Sequence, residues 1–203
     1  MDPNSQNEFN YQHLDNGYIR LLRLLPSSSP NLCCDMEQAQ LASPDCPSFT
    51  ALSYTWDGQA LYRPLLINGQ LLFVTPNVES FLRQVQWSRS PRNTVNAARD
   101  QNERHMFLRT MDLFWIDAIC INQADVRERE RQVPLMKQIY EKAHYIAIWL
   151  GEPKGNTRDA FEYIKQWHSD PEHREQIEQH PGRKALQELL QRPYWTRSWV
   201  LQE

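Results

Sequence analysis

Short apolar runs and helical stripes alternate along this chain. Tyr18–Leu25 (YIRLLRLL) alternates well enough for a strand and stops at the breaker PSSSP. Residues 27–47 mix Ser, Pro, Asp and Cys without periodicity and read as loop. Phe49–Trp56 (FTALSYTW) is β-rich and ends at the turn signal Asp57-Gly58. Pro64–Asn68 and Gln70–Val74 flank Asn68-Gly69, the usual two-residue hairpin turn. Thr75-Pro76 then starts a helix, with a capping hydroxyl followed by proline at the first helical position. Val78, Phe81, Leu82 and Val85 share one face of that helix. Residues 88–105 (SRSPRNTVNAARDQNERH) are polar and aperiodic, an excursion between elements.

Asp112–Cys120 is apolar enough for a strand buried on both faces, as in a parallel sheet. Asp125 is placed to cap the next helix, with Glu128 as its capping-box partner. Val133, Met136, Tyr140 and Ala143 form a helical stripe, which Pro134 must kink or restart. Tyr145–Leu150 reads as the next buried strand, closed by Gly151. Asn156 or Thr157 caps a further helix with Phe161, Ile164 and Trp167 inward, and Ala185–Leu190 forms a short helix that Pro193 ends. Strand–helix–strand units of this kind predict an α/β domain with a mainly parallel sheet. It spans 18–203 behind a polar tail at 1–17. Ligands of such sheets sit beyond the carboxyl ends of the strands. That rule selects Ser53–Asp57, Asp117–Gln123 and the chain from Gly151 onward.

Composition narrows the chemistry. A hydrophobic fraction of 40% and 7 Trp among 203 residues supply a real core. The net charge of −3 leaves no electrostatic footprint for nucleic acid. No apolar run reaches the roughly 18 residues of a membrane span. The polar, acidic N-terminus lacks signal-peptide character, so the expectation is an intracellular, cytoplasmic protein. The 4 Cys form no C-x-x-C pair and the 6 His are scattered, which argues against a metal site. The 6 glycines make neither G-x-G nor a P-loop, and no G-x-S-x-G elbow occurs. Cys120 has no partner histidine in a motif and reads as a buried structural thiol. The run Arg127-Glu128-Arg129-Glu130-Arg131 reads first as a solvated helix face. Asp117, inside WIDAIC, must be paired or solvated, and capping a loop or contacting a ligand would each satisfy it.

Three blocks carry a resemblance: FTALSYTWDG (49–58), LFWIDAICINQADVRERERQVPLMKQIYEKAHYIAIWLG (113–151) and RPYWTRSWVLQE (192–203). In this order and spacing they resemble the fungal heterokaryon-incompatibility (HET) domain. Its pattern runs ALSYxWG, then WIDxxCINQxDxxERxxQVxxMxxIYxxAxxVxxWLG, then RxWxxQE. Asp57 before Gly58, and Pro134 within the helix, depart from it. The family is associated with non-self recognition and programmed cell death. It is distantly similar to the TIR fold, which implies a flavodoxin-like sheet flanked by helices, here with an added N-terminal strand and hairpin region. Ser198-Trp199-Val200-Leu201-Gln202-Glu203 resembles a TIR motif whose glutamate cleaves NAD, with Val200 in place of its Cys.

By that resemblance Glu203 is the candidate catalytic carboxylate, and Trp199 shares its helical face. Ser53, Tyr54, Trp56 and Asp57 would line the cleft, Asp117 would orient a loop or hold a hydroxyl, and Arg127 or Arg129 would meet phosphate. NAD is then the substrate, with no cofactor and no metal. Self-association is implied, together with an upstream partner of the NLR type or an allelic recognition partner. The alternatives are a non-enzymatic TIR-like self-association module and regulatory nucleotide binding without turnover.

Overall fold

The computed structural model describes residues 8–26, 31–56, 58, 60–90, 112–169 and 180–197. Contacts divide the chain into two units, one running to Trp149 and one covering Leu150–Leu201. The first is built on a seven-stranded sheet of order β5-β4-β2-β1-β6-β3-β7. Its strands are β1 (Tyr18–Leu24), β2 (Leu32–Gln40), β3 (Thr50–Tyr54), β4 (Arg63–Ile67), β5 (Gln70–Val74), β6 (Leu113–Trp115) and β7 (Tyr145–Trp149).

The α/β class holds, but the sheet is mixed where a mainly parallel one was expected. β2 pairs parallel to β4, and β3 pairs parallel to both β6 and β7. β1 runs antiparallel to β2 and β6, and β4 antiparallel to β5. β1 and β5 run against the other five strands; β2, one of those five, occupies residues read as loop. Its apolar residues are sparse: Leu32 and Cys34 are buried on one face, which ends in Gln38 and Gln40, and Ala39 is the buried residue of the other, beside Asp35 and Glu37. It pairs with β1 from Tyr18↔Gln40 to Leu24↔Cys34. β1 and β2 thus form an antiparallel pair inside the sheet.

The β4–β5 hairpin turns at Asn68 (φ 50°) and Gly69 (φ 75°). Both central residues are left-handed, as a type I′ turn requires. At the β5 edge the Phe9 N–H donates to Leu71 O at 2.8 Å, and Leu14 is buried. The stretch read as a polar tail is therefore packed against the sheet from Glu8 onward.

Two cores cover the sheet, and strand parity separates them. Leu22, Leu52, Tyr54 and Phe114 face helix α1 (Pro76–Arg89), whose Val78, Phe81, Leu82 and Val85 are buried as its spacing predicts. Each such side chain contributes about 1.5–3 kcal/mol by leaving water. Thr75 caps this helix by accepting the Val78 N–H at 3.4 Å. The helix runs to Arg89, so the first residues of the polar excursion are helical, and 91–105 lie outside the described residues. On the other face Ile19, Leu21, Ala51, Leu113 and Trp115 pack with Ile139 and Tyr140.

The apolar run after Asp112 is strand only as far as Trp115 and then turns into a single helical turn, α2 (Asp117–Cys120). Ile116, Ile119 and Cys120 are spaced i, i+3, i+4, a helical pattern hidden in a continuous apolar run. Helix α3 (Val126–Gln132), a 3₁₀ turn at Val133–Leu135 and helix α4 (Met136–Lys142) follow, so Pro134 does break the helix. Among the described strands β7 lies at the edge of the sheet. Ile146 (38% exposed) and Ile148 (55%) are open to solvent, where a strand buried on both faces was expected.

In the second unit α5 (Thr157–Ser169) and α6 (Gly182–Leu190) pack through Ala160, Ala185 and Leu189. The buried face of α5 is Ala160 and Tyr163, whereas Ile164, expected inward, is 41% exposed. A Cβ on Gly182 would stand 2.5 Å from Asp159 O and 2.6 Å from Tyr163 Cβ, so the α6 start admits only glycine. Arg192 donates to Leu150 O and to Thr157 Oγ1, each at 2.8 Å, and ties the ends of this unit together.

Candidate functional site

Within the first unit β6, β3 and β7 are parallel, with β3 in the middle. The chain leaves β3, returns as β6 on one side, and then crosses to β7 on the other. The connections therefore reverse direction at β3, and the carboxyl ends of β3 and β7 border the crevice where doubly wound sheets hold ligands.

Side chains from three elements converge there. Trp56, just past β3 and 39% exposed, donates its indole Nε1–H to Asp117 Oδ2 at 3.2 Å. Asp117 opens α2, and its Oδ1 accepts the Ala118 N–H at 2.7 Å. The Gln123 amide donates to Asp117 O at 2.8 Å and braces the following loop. Asp117 is half-buried; its backbone carbonyl braces the loop, while its carboxylate meets the Ala118 N–H and the Trp56 indole. Asn77, in the first turn of α1, donates Nδ2–H to Thr55 O at 2.7 Å. Its Oδ1 accepts the Trp149 indole N–H at 2.8 Å. Asn77 thus bridges the ends of β3 and β7.

The structure sorts the expected site residues. Trp56 and Asp117 meet. Ser53 and Tyr54 adjoin them in sequence, but each is only 1% exposed, Tyr54 within the core under α1. Arg127 and Arg129 are exposed on α3. Asp57, Trp199 and Glu203 lie outside the described residues. Asn77 and Trp149 were not anticipated, and nothing marks them in the chain beyond their positions next to a capping Thr-Pro and at a strand end.

The charge run conceals a second unanticipated feature. Glu128 does not close a capping box on Asp125. Asp125 alone caps α3, accepting the N–H groups of Arg127 (2.9 Å) and Glu128 (3.2 Å). The Glu128 side chain turns inward to Arg20 of β1, at 2.6 and 2.9 Å, with both side chains at most 5% exposed. Arg20 also donates to Cys120 O and Gln12 O, and Glu128 accepts the Asn122 N–H at 2.7 Å. Burial pushes the Glu128 carboxyl up, but the Arg20 and Asn122 hydrogen bonds and the Arg20 charge more than offset it and hold it below its ordinary range. Every polar atom of this pair that matters to its charge is matched, so it is a structural lock.

Cys120 is fully buried, and burial pushes its thiol up to about 12. It is a core group and not a nucleophile. A polar hollow of about 240 Å³ lies away from the strand-end residues, between the N-terminal arm and the sheet, lined by Gln12, Arg20, Gln38, Asn68 and Gln70 among others. Among the described residues no group of His, Cys, Asp and Glu is arranged to hold a metal ion. Nor is any described helix long and apolar enough to cross a membrane.

A family model described as "Heterokaryon incompatibility protein (HET)" matches residues 49–203. Among curated proteins, "Heterokaryon incompatibility protein 6, OR allele" of Neurospora crassa is 28% identical over 230 aligned positions. The alignment covers 92% of this chain and 31% of that relative, so the chain spans about a third of the relative's length. No solved structure matches the chain.

Proposed function

Since the chain belongs to the heterokaryon incompatibility (HET) family, we propose that it serves fungal non-self recognition and cell death, and that it does so by hydrolysing NAD at the nicotinamide–ribose bond. The proposed place of action is the cytoplasm, downstream of an allelic or NLR-type recognition partner. The observation that carries this reading is the Trp56–Asp117 pair, an exposed aromatic face and a carboxylate held together beyond the carboxyl ends of the parallel strands β3 and β6.

The chemistry asks little of the protein. Cleavage of the C1′–N bond leaves oxocarbenium character on the ribose, and the cationic nicotinamide departs neutral, taking the bond's electron pair. Water then adds to C1′ and loses a proton to solvent. A carboxylate that holds ribose hydroxyls stabilises the developing charge. Asp117 is available for a hydroxyl, Trp56 for stacking on a planar ring, and Arg127 or Arg129 for the pyrophosphate. Glu203, by likeness to the TIR glutamate, is the proposed catalytic carboxylate.

The test is nicotinamide release from NAD by purified protein over a concentration series, with Glu203→Ala alongside. Release that climbs faster than protein concentration and disappears in the variant supports an assembly-activated hydrolase. No release at any concentration overturns it. A second reading has its own observation, the exposed Ile146 and Ile148 on edge strand β7. An open apolar edge is a template for pairing with another chain, which suits a self-association module without catalysis. Sedimentation of wild type and Ile148→Lys separates the two. Association lost in Ile148→Lys, with no NAD turnover in wild type, favours the module.

A further inference from the structure

We infer that Asn77 is the positioning residue of the strand-end site, setting the peptide after β3 so that Trp56 reaches Asp117. The inference rests on the site proposed above and adds a residue that lies outside all three blocks of family resemblance. Asn77 is 7% exposed and sits in the first turn of α1, immediately beyond the Thr75 cap. Its amide has one donor end and one acceptor end, and each has a different strand as its partner. Nδ2 donates to Thr55 O at the end of β3, and Oδ1 accepts from Trp149 Nε1 at the end of β7.

The Trp149 indole N–H can only donate, so the amide orientation is fixed by chemistry. The bond to Thr55 O fixes the peptide that precedes Trp56. Trp56 then places its own indole N–H on Asp117 Oδ2. A chain of three hydrogen bonds therefore runs Trp149–Asn77–Thr55, then through one residue of backbone to Trp56–Asp117. It crosses the point where the strand connections reverse. Trp149 is additionally held edge-on by Phe81 of α1, with ring centroids 5.8 Å apart, which anchors the far end of the chain in the core.

Because the amide is two-ended, two conservative variants cut it in different places. Asn77→Asp keeps an acceptor for Trp149 but replaces the Thr55 donor with a carboxylate oxygen that repels the carbonyl. Trp149→Phe removes the other end and leaves the Thr55 bond. The readout is the indole N–H signals of the full chain by NMR, assigned with Trp56→Phe, together with kinetics of nicotinamide release. In Asn77→Asp the Trp56 indole signal shifts and its hydrogen exchange accelerates at least about tenfold, while the Trp149 signal persists. In the same variant kcat falls by about tenfold or more and KM moves by less than about threefold. Trp149→Phe leaves the Trp56 signal in place.

An unchanged Trp56 signal in Asn77→Asp overturns the inference and leaves Asn77 a structural bridge. A Trp56 signal disturbed equally by Trp149→Phe also overturns it, because the effect then travels through packing and not through the Thr55 bond. If the wild type releases no nicotinamide, the NAD reading fails, yet the indole signals still decide the positioning role.

Discussion

Glu128 and Asp117 both follow β6 in the chain and end in opposite circumstances. Glu128 is buried, bound twice by Arg20 and once by a backbone N–H, and held below the usual carboxylate range. Asp117 is half-buried, and the side-chain donor that meets it is the indole of an exposed tryptophan. A perturbed carboxylate in a cleft is a common pointer to function. Here the perturbed group is the lock, and the half-buried one faces the strand ends. What separates them is the partner: a buried guanidinium charge bonds both oxygens of Glu128, whereas the oxygens of Asp117 meet a neutral indole N–H and a backbone N–H.

That contrast can be broken from the buried side with the largest effect. Arg20→Met leaves Glu128 uncompensated in the interior and is expected to cost about 3–5 kcal/mol in urea unfolding. Adding Glu128→Leu in the same chain should recover most of that loss, since an apolar pair avoids desolvating charge. Recovery absent from the double variant would mean the pair does more than balance itself.

Acid gives a smaller effect of the same origin. The Glu128 carboxyl is depressed in the fold, so its contribution is fully present above the unfolded value near about 4.3 and is lost as pH falls through the folded value. Urea midpoints measured from about pH 6 to pH 3 should fall steadily in wild type and less steeply in Glu128→Gln. Equal slopes would remove Glu128 from the account of acid sensitivity.

Thr75→Ala tests the support beneath Asn77. Loss of the cap on α1 should cost about 1 kcal/mol and leave the Arg20–Glu128 lock untouched. Smallest on the stability scale is Asp117→Asn, expected within about 0.5 kcal/mol of wild type. On the proposed reading nicotinamide release should nevertheless drop by about tenfold or more. A large stability loss with unchanged release would make Asp117 a second structural carboxylate and erase the comparison.

Much of this fold is legible before any coordinates. The helical face Val78, Phe81, Leu82 and Val85, the Asn68-Gly69 turn and the break at Pro134 all follow from local chemistry, and all are present. Signals that depend on distant partners are not legible. β2 hides because Leu32, Cys34 and Met36 give way to Gln38 and Gln40 on one face while the other carries Asp35 and Glu37; only pairing with β1 declares it a strand. Glu128 sits in a run of alternating charge whose other members are exposed, and nothing local distinguishes the one that turns inward to Arg20. At the site, the tryptophan and aspartate stand inside blocks of family resemblance, so they can be nominated. Asn77 cannot, because its role exists only once β3 and β7 lie side by side.

The placement of β1 has a consequence in time. β1 pairs with β2 almost as soon as both are synthesised, and the β4–β5 hairpin is equally local. Its other neighbour, β6, begins only at Leu113. At about 5–20 residues per second the ribosome takes roughly 4–18 s to go from Leu24 to Leu113. Throughout that interval one edge of an apolar strand, and the guanidinium of Arg20 without its Glu128, wait unpaired. Such non-local closure slows folding and invites association with other chains. Shielding β1 until β6 arrives, as a chaperone present during synthesis would, should raise the yield of correctly closed sheet.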